Sequence, residues 1–315
     1  MRRATAWLGL AAVALGAAGC IDDLPSGVRI ERPRVLAVRV RIDGEPQRAQ
    51  PRPGETITLR WLTAPEGGAW TGALTACVAA PGNTGLPRCM GEPFAIAPPG
   101  PPSARPTFTL TMPEDAAGEV LIGGVLCEGG TPALPEDGLP TCEGESATTE
   151  LVTFDLSLAT DQPPNRHPSW DDETFMLDGV TWTAPDDPPA TGCAEAAGGA
   201  ALPRVPRRGE EEPSAVRFSS SPDDREAFEE LVYGDPPSIE EMREELLVSH
   251  VATAGLFSRL STEVFDDDAP APEVSWRHPD AEDVPDDGLT VRFWFVVRDG
   301  RGGMDWVERA ACVVP

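Results

Sequence analysis

The sequence predicts a mostly-β protein with two β-sandwich units, the second carrying a short helical insertion. Three observations predict it. Short segments alternate apolar and polar residues with period two and are separated by Pro/Gly turns. These segments fall into two sets, one within residues 33–160 and one within 165–315, with Pro163-Pro164-Asn165 between them as a linker. The period changes only around 220–248, where helix-start patterns occur.

In chain order, the first strand is expected at Val35–Ile42, where Leu36, Val38, Val40 and Ile42 alternate with Ala37, Arg39 and Arg41. Pro51-Arg52-Pro53-Gly54 turns the chain into Glu55–Leu62, with Ile57, Leu59 and Trp61 on one face. In Thr107–Met112, Phe108, Leu110 and Met112 alternate with three threonines. Leu74–Ala79, Glu119–Cys127 and Glu150–Leu158 complete the first set. About six or seven such strands with turns between them fit a two-layer sandwich.

The second set comprises Thr174–Thr183, Ala215–Ser219, Leu246–Ala252, a strand near Val264, Leu289–Val297 and Trp306–Val314. Residues 187–213 read as a long loop. Ser221-Pro222-Asp223-Asp224 has Ser as N-cap and Pro at the first helical position, and Ser238-Ile239-Glu240-Glu241 has the capping-box pattern. Short helices are therefore expected near 222–232 and 239–246.

The N-terminus carries its own signal. Met1-Arg2-Arg3 is basic, Trp7–Ala18 is apolar and uncharged, and Ala17-Ala18-Gly19-Cys20 follows. This has the three parts of a secretory leader, and it ends as the lipobox of bacterial lipoproteins does. The apolar run is shorter than the roughly 20 residues a transmembrane helix needs. Residues 1–19 are thus expected to be removed, leaving Cys20 lipidated and residues 20–32 as a tether. One acyl chain holds weakly and several hold firmly, at roughly 0.8 kcal/mol per buried CH₂. Ile21 after the cysteine, rather than Asp, points to the outer membrane by the enteric sorting rule.

Six cysteines remain: Cys77, Cys89, Cys127, Cys142, Cys193 and Cys312. An even number in an exported chain reads as disulfides, with many connectivities open. Proximity favours Cys77–Cys89 and Cys127–Cys142, which leaves Cys193–Cys312 to tie the long loop to the last strand. Zinc is a poor alternative, because there is no C-x-x-C and none of the three histidines sits at ligand spacing from a cysteine.

The formal charge is −27, and the leader contributes Arg2 and Arg3 with no acid, so its removal gives −29. That charge speaks against passive attraction to nucleic acid or to anionic lipid, both of them polyanions. No G-x-S-x-G, H-E-x-x-H, Walker-type or dinucleotide-binding motif occurs, so no catalytic residue, metal or cofactor is assigned. His167, His250 and His278 stand alone in sequence, and His250, in an expected strand, reads as a surface or hydrogen-bonded histidine. Acidic loops at Asp171-Asp172, Asp186-Asp187, Asp266-Asp267-Asp268, Asp280, Asp283 and Asp286-Asp287 leave calcium as an alternative, although EF-hand spacing is absent. Trp61, Trp182, Trp294 and Trp306 are expected to pack in the sheets. Trp70, Trp170 and Trp276, near loops, are candidates for a binding surface.

The stretch Leu246–Phe257, then Val274-Ser275-Trp276-Arg277-His278-Pro279, then Phe295–Gly303 with its Asp299-Gly300-Arg301-Gly302-Gly303 turn, resembles the PKD-like and immunoglobulin (Ig)-like domains of lipoproteins from high-GC Gram-negative bacteria. Pro53–Leu59 fits the same pattern in the first unit. The resemblance implies two Ig-like β-sandwiches and no catalytic residues. The expected function is a lipid-anchored, non-catalytic binding or scaffolding module of the cell envelope, meeting the membrane through its anchor and an envelope protein or glycan through its loops or edges. The alternatives are calcium-dependent adhesion and an enzyme with an active site in 165–315.

Overall fold

The computed structural model describes residues 27–65, 67–80, 88–135, 139–159, 163–170, 174–184, 193, 202–209, 211–219, 224–234, 236–264 and 271–315. The leader and Cys20 lie outside them, as do the acidic loops at 171–172, 186–187 and 266–268. The protein is mostly β. Its N-terminal half contains β1 (Arg34–Ile42), β2 (Thr56–Ala64), β3 (Trp70–Val78), β4 (Ala95–Ala97), β5 (Thr107–Thr111), β6 (Glu119–Glu128), β7 (Thr131–Ala133), β8 (Thr141–Glu143) and β9 (Thr148–Ser157). Sheet β1-β2-β5 faces sheet β4-β3-β6-β9, and β7-β8 is a small separate hairpin. The alternating residues that the sequence singles out, among them Val38, Val40, Ile57, Leu59, Phe108 and Leu110, close one core with Leu74, Val120, Ile122 and Leu156 from the facing sheet. Period-two burial on each strand is what lets two antiparallel sheets share such a layer.

The C-terminal half contains β10 (Met176–Leu177), β11 (Val180–Thr181), β12 (Arg204–Pro206), β13 (Ser214–Arg217), β14 (Ala227–Val232), β15 (Ser238–Arg243), β16 (Leu246–Ala252), β17 (Leu256–Phe257), β18 (Ser261–Val264), β19 (Glu273–Arg277), β20 (Leu289–Arg298) and β21 (Met304–Val314). Sheet β12-β21-β20-β16-β18 packs on sheet β11-β10-β13-β19-β17. Between them lies an aromatic-rich core of Phe175, Trp182, Phe218, Phe257, Trp276, Phe293 and Phe295. Trp276 meets Phe293 edge-on at 4.9 Å between ring centres, and Trp182 meets Phe293 at 4.8 Å. Asp178-Gly179, with φ +52° and +77°, makes the two-residue turn that splits the expected Thr174–Thr183 strand into β10 and β11.

Three expectations are corrected. First, within the segment expected to be helical, Ala227–Val232 and Ser238–Arg243 form the antiparallel hairpin β14-β15, paired from Ala227↔Arg243 to Val232↔Ser238, while the expected helix start at 221–223 lies outside the described residues. Gly234-Asp235-Pro236-Pro237 limits each arm to a few residues. An isolated helix of that length is marginal in water, and almost all of both arms is exposed. The Ser-led capping pattern at 238 becomes a strand start, where the Ser238 hydroxyl donates to Glu240. Second, Trp70 and Trp276 are core residues with no exposed surface rather than a binding surface, and Trp170 packs on Phe175 and Phe218. Third, Pro163–Asn165 is no free linker: Asn165 is fully buried, its carbonyl accepts from Ala49 N–H, and its own N–H donates to Gln50 Oε1. Within the expected long loop, the described Arg204–Pro206 pairs in parallel with the C-terminal strand.

The halves meet through a third cluster. Ala37, Leu62 and Ala64 on the outer side of β1-β2 pack against Val251, Trp294 and Val296 on the outer side of β16-β20. Around it, Arg39 pairs with Asp305 at 2.5 Å, and the Arg298 guanidinium donates to the Leu36 carbonyl at 2.7 Å. The described cysteines form Cys77–Cys89, Cys127–Cys142 and Cys193–Cys312.

Candidate functional site

The outstanding surface feature is the β14-β15 hairpin and the cleft at its root. Among the described residues the hairpin's two strands form a sheet of their own, and almost all of both is exposed. Across the ladder, Glu229 stands directly opposite Glu241 and Glu230 opposite Glu240, while Leu231 stands opposite Ile239. Like charges facing each other on a strand pair are destabilising, so the pattern is costly to the isolated hairpin. Leu231, Tyr233, Ile239 and Met242 are all exposed, Tyr233 at 88% and Ile239 at 69%.

The root of the hairpin is held by a network that the Asp299–Gly303 turn builds. The Asp299 carboxylate is buried and accepts from Arg301 N–H at 2.7 Å, Gly303 N–H at 2.9 Å and the Asn165 amide at 2.8 Å. Gly303 has to be glycine: a Cβ there would lie 1.9 Å from Asp299 Oδ2 and 2.5 Å from the Arg166 carbonyl oxygen. The turn thereby aims the Arg301 side chain at the hairpin. Its guanidinium pairs with Glu244 Oε1 at 2.7 Å and lies 4.4 Å over the Phe228 ring. Glu244 Oε2 accepts from Glu226 N–H, and Arg225 Nε donates to the Glu244 carbonyl. Burial and the neighbouring Asp299 push the Glu244 carboxyl up to about 7, against the pull of Arg301. Burial likewise raises Asp299. Above this base opens a cleft of about 630 Å³ lined by Pro163, Glu226, Ala227, Phe228, Glu229, Glu241 and Arg301. It is acidic at the walls and apolar at Phe228 and Pro163, which suits a cationic, partly apolar ligand.

The histidines serve the framework. Met304 N–H donates to His167 Nδ1 at 3.1 Å, so that nitrogen carries no proton, and Nε2–H donates to the Val40 carbonyl at 2.7 Å. Burial, aided by Arg39, holds His167 down to about 4. His250 is fully buried in β16, its ring tilted against Phe257 and bonded to the Thr262 hydroxyl, and burial holds it too at about 4. His278, Ser214 and Asp178 come together, but with the protons running the wrong way for nucleophilic catalysis. Arg208 N–H donates to His278 Nδ1, so Nε2–H donates to Ser214 Oγ at 2.8 Å, and the hydroxyl donates to Asp178 Oδ2 at 3.0 Å. The serine proton is held by the carboxylate instead of being offered to the imidazole.

Among the described residues no group of three or more His, Cys, Asp or Glu side chains is placed to hold a metal ion, and no helix is long and apolar enough to cross a membrane. The hairpin cluster was missed in sequence because its parts are far apart, at 163–166, 226–244 and 299–303. The one local signal is the Asp-Gly-x-Gly-Gly turn, which enters the sequence reading through the resemblance it carries and not through its arginine. No protein-family model matches the chain, and a search of curated proteins finds no match.

Proposed function

We propose that the protein is a membrane-anchored extracytoplasmic lipoprotein acting as a non-catalytic binding or scaffolding module of the cell envelope. In this reading two Ig-like β-sandwiches carry the β14-β15 hairpin as the binding arm, and Cys20 carries the lipid. The observation that carries the binding role is the hairpin itself. It exposes Leu231, Tyr233, Ile239 and Met242 on a strand pair that both sheets leave free, beside four opposed glutamates. Fully burying one such aliphatic side chain is worth roughly 1.5–3 kcal/mol, and a cationic partner would relieve the glutamate repulsion. An envelope protein with an apolar, basic surface fits this arm better than a glycan, because three of its four exposed large side chains are aliphatic or thioether rather than aromatic.

The test is crosslinking and pull-down from intact cells with wild type, Cys20→Ser and a hairpin variant, Glu229→Arg/Glu241→Arg/Ile239→Asp. The reading predicts a discrete envelope protein recovered with wild type and lost with the hairpin variant. Identical recovery with the hairpin variant would refute the hairpin's role. Retention of Cys20→Ser in the membrane fraction, with no palmitate incorporated by wild type, would refute the anchor.

A second reading, an enzyme, draws on one observation: a carboxyl at about 7 beneath a cleft is the kind of perturbed group found at catalytic sites. Both Glu244 oxygens are bound by the protein's own groups, Arg301 and Glu226 N–H, which favours the structural role. Any turnover found in a hydrolase screen and abolished by Glu244→Gln, with the melting temperature kept, would reverse that preference.

A further inference from the structure

A second cleft lies where the chain leaves its N-terminal segment. It has a volume of about 530 Å³ and is lined by Arg29, Glu31, Arg32, Arg34, Val35 and Glu150. Residues 28–30 are fixed there by backbone bonds to Ala252: Ile30 N–H donates to the Ala252 carbonyl, and Ala252 N–H donates to the Val28 carbonyl. Arg34 begins β1 and donates to the Gly27 carbonyl at 3.5 Å. The Arg29 Nε is buried with no hydrogen-bond partner among the described residues, and Arg32 is exposed at the rim.

The charge is unusual for this molecule. Residues 28–42 carry Arg29, Arg32, Arg34, Arg39 and Arg41 against the single acid Glu31, in a chain whose formal charge is −27. In the cleft, three guanidiniums face two carboxylates, Glu31 and Glu150, an excess of one positive charge. Burial first, and Arg32 also, hold Arg34 below the ordinary guanidinium range, with Glu150 opposing. Cations are thus crowded in a half-dry recess, and one anion would balance them.

We propose that this arginine cleft binds a phosphate group, with a single-charged phosphodiester as the best match to its excess charge. Guanidinium forks pair bidentately with phosphate oxygens, which is why arginines in a recess discriminate for this chemistry. A membrane source deepens the anchored reading and rests on it. Arg29 is nine residues beyond Cys20, so an extended tether spans at most about 30 Å and keeps the cleft within that distance of the lipid anchor. The rest of the acidic body is repelled by an anionic surface, so docking at this end would also orient the protein, with the hairpin free to meet its partner.

The test uses the unlipidated mature chain, residues 20–315 with Cys20→Ser, which retains every described residue, so the result does not depend on acylation. Binding is measured to phosphatidylglycerol vesicles, to phosphatidylcholine vesicles and to inorganic phosphate, for wild type and for Arg29→Gln/Arg32→Gln. Melting curves confirm that the variant folds. Neutralising each arginine near an anionic surface is expected to weaken binding about fivefold. Vesicle binding that needs phosphatidylglycerol, falls with salt and is lost in the variant supports a lipid headgroup. Binding of inorganic phosphate alone, lost in the variant, supports the phosphate site with a soluble source. No binding in either arm, or binding unchanged in the variant, overturns the proposal, whatever palmitate labelling shows about the anchor.

Discussion

At the residue scale, the chain spends its few histidines and one unusual glutamate on joints. His167 and His250 are held at about 4 by burial, well below the ordinary 6.5. A histidine whose folded pKa is depressed contributes stability above its unfolded pKa, and that contribution is lost as pH falls from about 6.5 toward 4. NMR titration of the histidine ring protons should therefore show both still neutral at pH 5.5, whereas an unperturbed ring would be charged. Glu244 behaves oppositely. Its folded pKa of about 7 lies above 4.5, so its burial penalty is full above pH 7 and eases as pH falls toward 4.5. Arg301→Met removes its counter-charge, and breaking a buried pair costs about 3–5 kcal/mol. The loss should be largest at pH 8 and much smaller at pH 5.5, where Glu244 is protonated. Equal loss at both pH values, read from denaturant melts, would show that Arg301 acts through packing on Phe228 alone.

At the element scale, the strands were legible wherever one face met a core. β1, β2, β5, β16 and β20 follow from period-two runs that survive in the structure, and Leu246–Ala252 has its expected bounds. The hairpin was not legible, because caps and turns are local signals that strands and helices share. What decided the outcome was the pairing of Ala227–Val232 with Ser238–Arg243, together with the Arg301 tie at the hairpin's root. Proximity was a good guide to the cysteines, since two pairs close loops with separations of 12 and 15 residues. The third, with a separation of 119 residues, follows once those are made. In the chain-entropy model a closed loop of that length contributes about 4–5 kcal/mol, so Cys193→Ser/Cys312→Ser should lower stability more than Cys77→Ser/Cys89→Ser. Thiol counting on the denatured, unreduced protein should find none of these six free.

At the scale of the whole molecule, the contact between the halves had a sequence signature that the strand pattern obscured. Along β20, Val291, Phe293, Phe295 and Val297 face the aromatic core, while Trp294 and Val296 occupy the face that a half-buried strand would leave polar. Those two residues meet Ala37 and Leu62 of the other half. Trp294→Ala should cost about 3–5 kcal/mol and, if the halves unfold together through this cluster, split one calorimetric transition into two. A single unsplit transition at the wild-type temperature would mean that the cluster contributes little. Charge follows the same large-scale division. In the proposed reading, the arginine-rich N-terminal end would face the membrane and the acidic hairpin a partner elsewhere.

The most direct test of the binding role places a photo-crosslinking amino acid at Tyr233, the exposed hairpin tip, and at Leu260, an exposed control position outside the hairpin strands. In intact cells, position 233 should give a crosslink to one envelope protein, and position 260 should not. No adduct at 233, or the same adducts from both positions, would contradict the hairpin as the binding arm.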